Sequence, residues 1–582
     1  MKRFFKIFLM IIGAGTLGIF ISGIVLAVFF RTYREDVPDK TVLELDFDKG
    51  FEEYVPDDPA ARMMSGKTPT VLDVIESLQQ ASEDKRVIGL IGHIGNAEMG
   101  LARIQELRNA ILAFRAKGKT AVAYSDTFGE FGPGNGAYYL ATAFKKIYLQ
   151  PSGDIGLTGL MFETRFLKGT LDKVGIKPRM DHRREYKNAM NVLTETGYTE
   201  PHKEALCKIM SSQFEQIIRD IGKARDISES DMISLTDHGF FLGQEACNAK
   251  LADELAYRDK VYEDMKKIAG ENAEFLPLMT YRERADQPSA KGETLALIYG
   301  VGAISRGENE YNALSGNAVM GSETVAKAFR AAIEDKEVKA ILFRVSSPGG
   351  SYIGSDTIWR ETVRAKQAGK PVIVSMGDVA GSGGYFVAMA ADKIVAQPGT
   401  ITGSVGVLAG KLLTSDLWDK LGISHDEIHT GPSSTMWSGT NDYSSEQWDR
   451  LQDALDRIYA DFTGKVAEGR KLDPEDVSEV AKGRIWTGED AEIRGLVDEL
   501  GGFPEAIRLA KKAAGIPENA EICLKLFPKK KAFLDLLEEK ASDVTTARIL
   551  TEIQPIVQAV GQIGILGEQG VLSMQGFEFS VY

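Results

Sequence analysis

Cysteine is scarce in this sequence: Cys207, Cys247 and Cys523 are the only three in 582 residues. An odd number at such wide spacing supplies neither a disulfide framework nor a metal-ligand motif, so all three read as small buried residues. Histidine is almost as rare. His93, His182, His202, His238, His425 and His429 are scattered, and none stands in the context of a catalytic triad. Basic charge is in deficit too. A formal net charge of −14 removes the cationic footprint that nucleic-acid binding needs. What remains is the composition of a soluble globular body, too long for one hydrophobic core.

One segment departs from that composition. Between Phe4 and Phe30 the only charge is Lys6. The run is long enough to cross a hydrocarbon core as a helix, and Lys2, Arg3 and Lys6 before it favour a cytoplasmic N-terminus. It is longer than the apolar core of a cleaved signal and lacks a clear A-x-A site, so residues 1–36 are expected to be an uncleaved tail and transmembrane anchor, with a cleaved signal the alternative. Gly13-Ala14-Gly15-Thr16-Leu17-Gly18 matches the G-x-G-x-x-G dinucleotide fingerprint. That pattern has physical meaning only between a strand and a helix of a βαβ unit, so no cofactor is expected there.

The rest of the chain repeats itself. Residues 134–160 align with 381–407 without a gap, at an offset of 247, and 11 of the 27 positions are identical. GQEACNAKLADEL (243–255) likewise matches GEDAEIRGLVDEL (488–500). Each copy alternates apolar, β-branched runs with helical periodicity. VLELDF (42–47), RVIGLIG (86–92) and TAVAYS (120–125) are strands of the first copy. LALIYGV (295–301), KAILFRV (339–345) and PVIVSMG (371–377) are strands of the second. This alternation predicts an α/β fold with mostly parallel strands, built twice: an N-terminal repeat over 37–280 and a C-terminal repeat over 281–515. Tyr281 to Glu293 reads as the linker, and 516–582 as an appended extension without a counterpart in the repeat.

The two copies differ where chemistry would reside. In the second, a strand runs into Gly381-Ser382-Gly383-Gly384-Tyr385. A serine flanked by glycines at a strand-to-helix turn has an exposed hydroxyl and open access to backbone N–H groups. Ser347-Pro348-Gly349-Gly350 ends another strand and can add a second oxyanion donor. The first copy has Asn135 in place of Ser382, and Gly92-His93-Ile94-Gly95-Asn96-Ala97 in place of the donor loop. Without a histidine in context, a lysine whose pKa is lowered by burial can serve as base. Lys187, in Arg184-Glu185-Tyr186-Lys187-Asn188-Ala189, occurs only in the copy that lacks the serine; its counterpart is Ser434. The half-sites are complementary.

With S-P-G-G at 347–350, A-G-S-G-G-Y at 380–385, T-G-S-V-G at 402–406 and Y-K-N-A at 186–189, the chain resembles the signal peptide peptidase A (protease IV) family, peptidase family S49, in its long duplicated form. The resemblance covers roughly residues 1–515. It implies two tandem crotonase/ClpP-like domains behind a membrane anchor. It also implies a Ser/Lys dyad in which Ser382 is the nucleophile and Lys187 the general base. Ser404 would hold the lysine, and N–H groups of Gly383 and of the Gly349–Gly350 loop would form the oxyanion hole. No metal or cofactor is implied. The implied partners are signal-peptide remnants, membrane lipid and three further copies of the chain in a bowl-shaped homotetramer. The implied location is the bacterial inner (cytoplasmic) membrane, single-pass, with the catalytic part on the periplasmic side. Asn188 departs from the family, which has serine after the lysine. Two other classes fit the same strands and glycine loops: an acyl-CoA-processing crotonase-like enzyme, and a non-catalytic membrane scaffold.

Overall fold

The computed structural model describes residues 35–55, 68–95, 99–285, 292–312, 317–528 and 571–572. The expected anchor lies almost wholly outside them, as does most of the expected extension 516–582. Among the described residues no helix is long and apolar enough to cross a membrane.

The first repeat is built on β1 (Thr41–Asp46), β2 (Val87–His93), β3 (Thr120–Ser125), β4 (Lys146–Leu149), a cross-repeat strand β5 (Lys177–His182), β6 (Glu254–Leu255) and β7 (Glu274–Pro277). All but β5 form one sheet in the order β6-β4-β3-β2-β1-β7, with parallel neighbours throughout. Its helices include α1 (Leu101–Ala116), α2 (Asn135–Ala141) and the long α3 (Glu200–Arg225). The second repeat uses β8 (Glu293–Val301), β9 (Val338–Ser347), β10 (Gly350–Ser351), β11 (Val372–Gly381), β12 (Lys393–Ala396), β13 (Ile401–Gly403), β14 (Leu408–Leu413), β15 (Glu499–Leu500) and β16 (Ile522–Phe527). Its helices include α4 (Gly383–Ala388), α5 (Ser445–Arg470) and α6 (Phe503–Ala513). Its sheet runs β15-β12-β11-β9-β8-β16, the same order as the first. Near-continuous apolar runs such as ALIYGV and AILFRV are what strands covered on both faces require.

Two boundaries differ from the sequence reading. β16 pairs with β8 as β7 pairs with β1, so the second repeat extends to Phe527 and 516–527 does have a counterpart. A single short strand at the sheet edge carries too little periodicity to be recognised alone. Tyr281 belongs to a helix over Leu278–Arg284, is fully buried, and its hydroxyl donates to Asp84, so the first repeat runs past the expected start of the linker.

The expected helix cap at Ser444 is present: Ser444 Oγ accepts from the Gln447 N–H at 3.2 Å while Gln447 Oε1 accepts from the Ser444 N–H at 3.1 Å. α3 and α5 are both 26 residues long and end at left-handed residues in matching places, Asp226 and Lys471.

The repeats do not pack as two separate globules. Leu43, Leu90 and Ile104 of the first share one continuous apolar cluster with Leu297, Leu342, Phe503 and Leu509 of the second. At roughly 1.5–3 kcal/mol for each large side chain buried, such a core holds the repeats in a fixed relation. The docking is head to tail. β5 of the first repeat pairs antiparallel with β14 of the second, Lys177↔Leu413 through His182↔Leu408. The equivalents, 161–166 in the first repeat and 424–429 in the second, form no strand.

Candidate active site

The elbow comes first, because local backbone makes it. β11 hands over to α4 at Ser382, whose φ of 55° and ψ of −116° lie outside the ordinary regions for a residue with a side chain. Phe386 N–H donates to Ser382 O, closing the first turn of the helix, and Ser382 N–H donates to Gly403 O at 2.8 Å. The elbow is therefore tied to β13, and the residue after β13 is Ser404.

The first repeat keeps the turn and discards the strain. Its helix α2 begins one position earlier, at Asn135, behind Gly134 with φ −111°. Asn135 Nδ2 donates to Gly159 O at 2.9 Å, and its Oδ1 accepts from Gly159 N–H at 3.1 Å, so the side chain pins the neighbouring loop. The tyrosines that both copies retain have a common structural purpose. Tyr138 donates to Leu251 O and Tyr385 to Leu496 O, both rings fully buried.

Lys187 reaches the elbow from the other repeat. After β5, the chain passes between two segments of the second repeat: Arg183 N–H donates to Val407 O, and Tyr186 N–H donates to Lys482 O. The side chain is 1% exposed. Its Nζ lies 2.8 Å from Ser382 Oγ, 3.0 Å from Ser404 Oγ and 3.0 Å from Ser404 O. Among the described residues no carboxylate pairs with it, and burial lowers its pKa from 10.5 to about 7. Lys187, Ser382 and Ser404 are thus brought together in space.

The glycine loops also converge. A Cβ placed on Gly383 would stand 3.2 Å from Gly350 N and 2.6 Å from Ser355 Oγ, so the two backbones meet at a position that admits only glycine. Gly349 also abuts the elbow, where a Cβ would stand 2.6 Å from Gly383 N and 2.9 Å from Ser382 Cβ, while its N–H donates to Ser347 Oγ at 3.2 Å and its carbonyl accepts from Ile304 N–H. The Gly350 and Gly383 backbones thus lie side by side at the elbow.

Sequence reasoning missed Gly483. It has φ 81°, and a Cβ there would stand 2.5 Å from Lys187 N and 2.6 Å from Lys187 Cβ. Nothing in A-K-G-R-I-W marks the requirement, because the crowding residue is about three hundred positions away in sequence. Gly483→Ala is expected to lower kcat/KM at least about tenfold by displacing the lysine, read in steady-state peptide hydrolysis.

A cavity beside Lys187 is lined by Tyr186, Asn188, His202, Leu206 and Ile485, among others. His202 is buried and driven to about 4, hence neutral, and packs edge-on to Phe166 and Tyr198. Among the described residues, Asp46, Asp48 and His93 are the group close enough together to hold a metal ion. They lie at the ends of β1 and β2 of the first repeat and make no hydrogen bond to Lys187 or Ser382.

Peptidase family S49 matches twice, over residues 113–272 and 364–517, one match containing Lys187 and the other Ser382 and Ser404. The chain belongs to peptidase family S49. Its S49 relatives include the chloroplastic serine protease SPPA of Arabidopsis thaliana, 31% identical over 77% of this chain and 66% of that protein. Protease 4 of Salmonella typhi is 30% identical over 86% of this chain and 81% of its own. A solved structure of a ClpP1 point mutant from Listeria monocytogenes superposes on 36% of this chain and 94% of its own, at 14% identity and a TM-score of 0.23. S49 membership makes the enzyme class that of a serine protease, in place of the acyl-CoA-processing and scaffold readings.

Proposed function

We propose that this S49 chain is a membrane-anchored endopeptidase with a Ser/Lys dyad that degrades remnant signal peptides on the periplasmic side of the bacterial cytoplasmic membrane. The same reading includes the crotonase/ClpP-like superfold for each repeat. One observation carries it: a buried lysine amine, lowered to about 7, lies 2.8 Å from a serine hydroxyl held in a strained elbow.

The chemistry follows from the three contacts of Nζ. A neutral amine has two N–H bonds and one lone pair. Donation to Ser404 Oγ and Ser404 O uses both N–H bonds and leaves the lone pair for the Ser382 hydroxyl proton. Ser382 Oγ then attacks the scissile carbonyl as Lys187 takes that proton. The carbonyl oxygen, now negative, accepts from Gly383 and Gly350 N–H. Collapse breaks the C–N bond, and Lys187 returns its proton to the leaving amine. Water, deprotonated by the same lysine, releases the acyl group from Ser382. Activity is expected to rise with pH as a single titration centred near 7 and to flatten above it, because only the neutral amine can accept the proton. A profile of kcat/KM against pH checks this, and a flat profile between pH 5 and 9 would contradict it.

A peptide has a backbone to pair. Residues 571–572 of the chain itself lie antiparallel to Gly350–Ser351, at the oxyanion loop. That edge accepts an extended strand, which supports a peptide substrate bound by main-chain pairing. Signal-peptide remnants lie in the membrane, and the uncharged run Ile7–Phe30 would keep the enzyme beside them. Cleavage of a synthetic signal peptide by detergent-solubilised full-length protein, set against a water-soluble polar peptide of equal length, tests the substrate class.

The homotetramer is supported by the head-to-tail docking of the repeats. β5 and β14 satisfy each other, while 161–166 and 424–429 have no strand partner within the described residues. Met161 and Ile428 within these segments, and Leu421 and Ile423 just before the second, are exposed. A heterologous contact repeated between chains closes into a ring. Ile428→Glu combined with Leu421→Glu is expected to shift the protein to monomer, as measured by light scattering after size exclusion.

A further inference from the structure

Helices α1 and α6 both begin behind glycines, Gly100 and Gly502, which have no side chain to cap the first turn. Each receives a carboxylate from the other repeat. Arg103 N–H, in the first turn of α1, donates to Asp378 Oδ1 at 2.9 Å, and the Arg103 guanidinium binds the same carboxylate. Phe503 N–H, at the start of α6, donates to Glu106 Oε1 at 2.7 Å. The exchange is reciprocal, with one cap passing in each direction across the interface.

Each cap bears on a strand that ends in the chemistry, Asp378 as part of β11 and Glu106, from α1, through Arg344 of β9. Asp378 lies in β11, four residues before Ser382. The pairing of β11 with β9 steps from Val345↔Met376 to Ser347↔Ala380, two residues on one strand against four on the other. The extra residues form a bulge at Gly377–Val379, which turns Asp378 towards the first repeat. Glu106 grips β9: Arg344 donates to it at 2.7 Å, to Glu53 at 2.6 Å and to Ser375 Oγ at 2.8 Å, and is fully buried. β9 continues into the Gly349–Gly350 loop. The lysine-bearing repeat therefore holds the strand leading to the nucleophile and the strand leading to the oxyanion loop.

We propose that Arg103 and Asp378 are a positioning pair: by capping α1 with the bulge of β11, the first repeat sets the place of Ser382, in addition to delivering Lys187. This rests on Ser382 being the nucleophile. Within the bulge, Val379 pairs with Ile401 of β13 and the Gly377 carbonyl accepts from Thr400 Oγ1, whereas Asp378 has no ladder partner on either neighbouring strand. Its side chain is anchored outside the sheet, on α1. A shift of the elbow of about 1 Å separates Ser382 Oγ from Lys187 Nζ and costs on the order of a hundredfold in rate.

The test is the rate and stoichiometry of fluorophosphonate labelling of Ser382 in the full-length protein. Asp378→Ala is expected to label fully but about a hundredfold more slowly, and Asp378→Asn, which can still accept from Arg103 N–H, about tenfold more slowly. Arg103→Ala is expected to match Asp378→Ala, Arg103→Lys to recover most of the rate, and the Arg103→Ala/Asp378→Ala double variant to be no slower than the slower single. Arg219→Ala, which removes an exposed cross-repeat pair with Glu489, is the control and should label at the normal rate. The proposal is overturned if the variants label at the normal rate while only the labelled fraction falls. It is equally overturned if the two single losses multiply in the double variant. Should Asp378→Ala not fold, Asp378→Asn and Arg103→Lys carry the same comparison. Absence of labelling in the unmodified protein would instead defeat the Ser382 reading itself.

Discussion

Ser382→Ala is expected to lower peptide hydrolysis by about ten-thousandfold or more while leaving the fold intact. The loss is large because, in the proposed mechanism, the Ser382 hydroxyl forms the acyl bond and alanine has no atom to replace it. The fold survives because the contacts that shape the elbow are backbone ones: Ser382 N–H to Gly403 O, and Phe386 N–H to Ser382 O. Alanine keeps both. The measurement is kcat/KM on a peptide substrate together with thermal unfolding. Unchanged Tm with abolished turnover is the expected result. Retention of more than a few per cent of activity would remove Ser382 from the role of nucleophile.

The second large effect is that of Lys187→Met. Activity is expected to fall by a comparable factor, because no other base reaches Ser382 Oγ within hydrogen-bond distance among the described residues. Stability should move the other way. Between about pH 7 and 10.5 the unfolded chain holds a proton on Lys187 that the folded chain does not. Folding releases that proton, so stability rises with pH across this window. Below about pH 7 both states are protonated, and the whole cost of the buried cation falls on the folded state. Methionine has a similar length and no charge to bury. Its Tm is therefore expected to exceed that of the unmodified protein at pH 7 and below, with the difference shrinking as pH approaches 10.5. A variant with lost activity and lowered Tm at every pH would mean that the amine is a structural donor to Ser404 and not a base.

These expected outcomes share a cause: in the proposed site the serine comes from one repeat and the lysine from the other. The exchange of serine for asparagine was visible in the aligned repeats, and so was the lysine facing Ser434. The structure adds why Asn135 is tolerated. Released from the elbow's strained backbone, it joins the helix and uses its amide to hold Gly159.

The apolar runs of β1–β3 and β8, β9 and β11 were legible because buried parallel strands leave a local pattern that composition alone can carry. The glycine-serine-glycine elbow was legible for a similar reason, since its requirement is met by adjacent residues. β16 was not, because its partner β8 lies more than two hundred positions earlier. Nor were Gly483, whose constraint is the backbone of Lys187, or Gly100 and Gly502, whose missing caps are supplied as Asp378 and Glu106.

The sequence by itself determined the duplication, the strand-helix alternation of each copy, the elbow around Ser382 and the sorting of serine and lysine into different copies. Only the tertiary structure decided that the two halves meet. Lys187 and Ser382 are 195 residues apart. Their approach depends on pairing β5 with β14 and on a shared apolar core, both set by side chains far from either residue. Burial then lowers the pKa of the amine, and burial belongs to the packed whole, not to any stretch of chain.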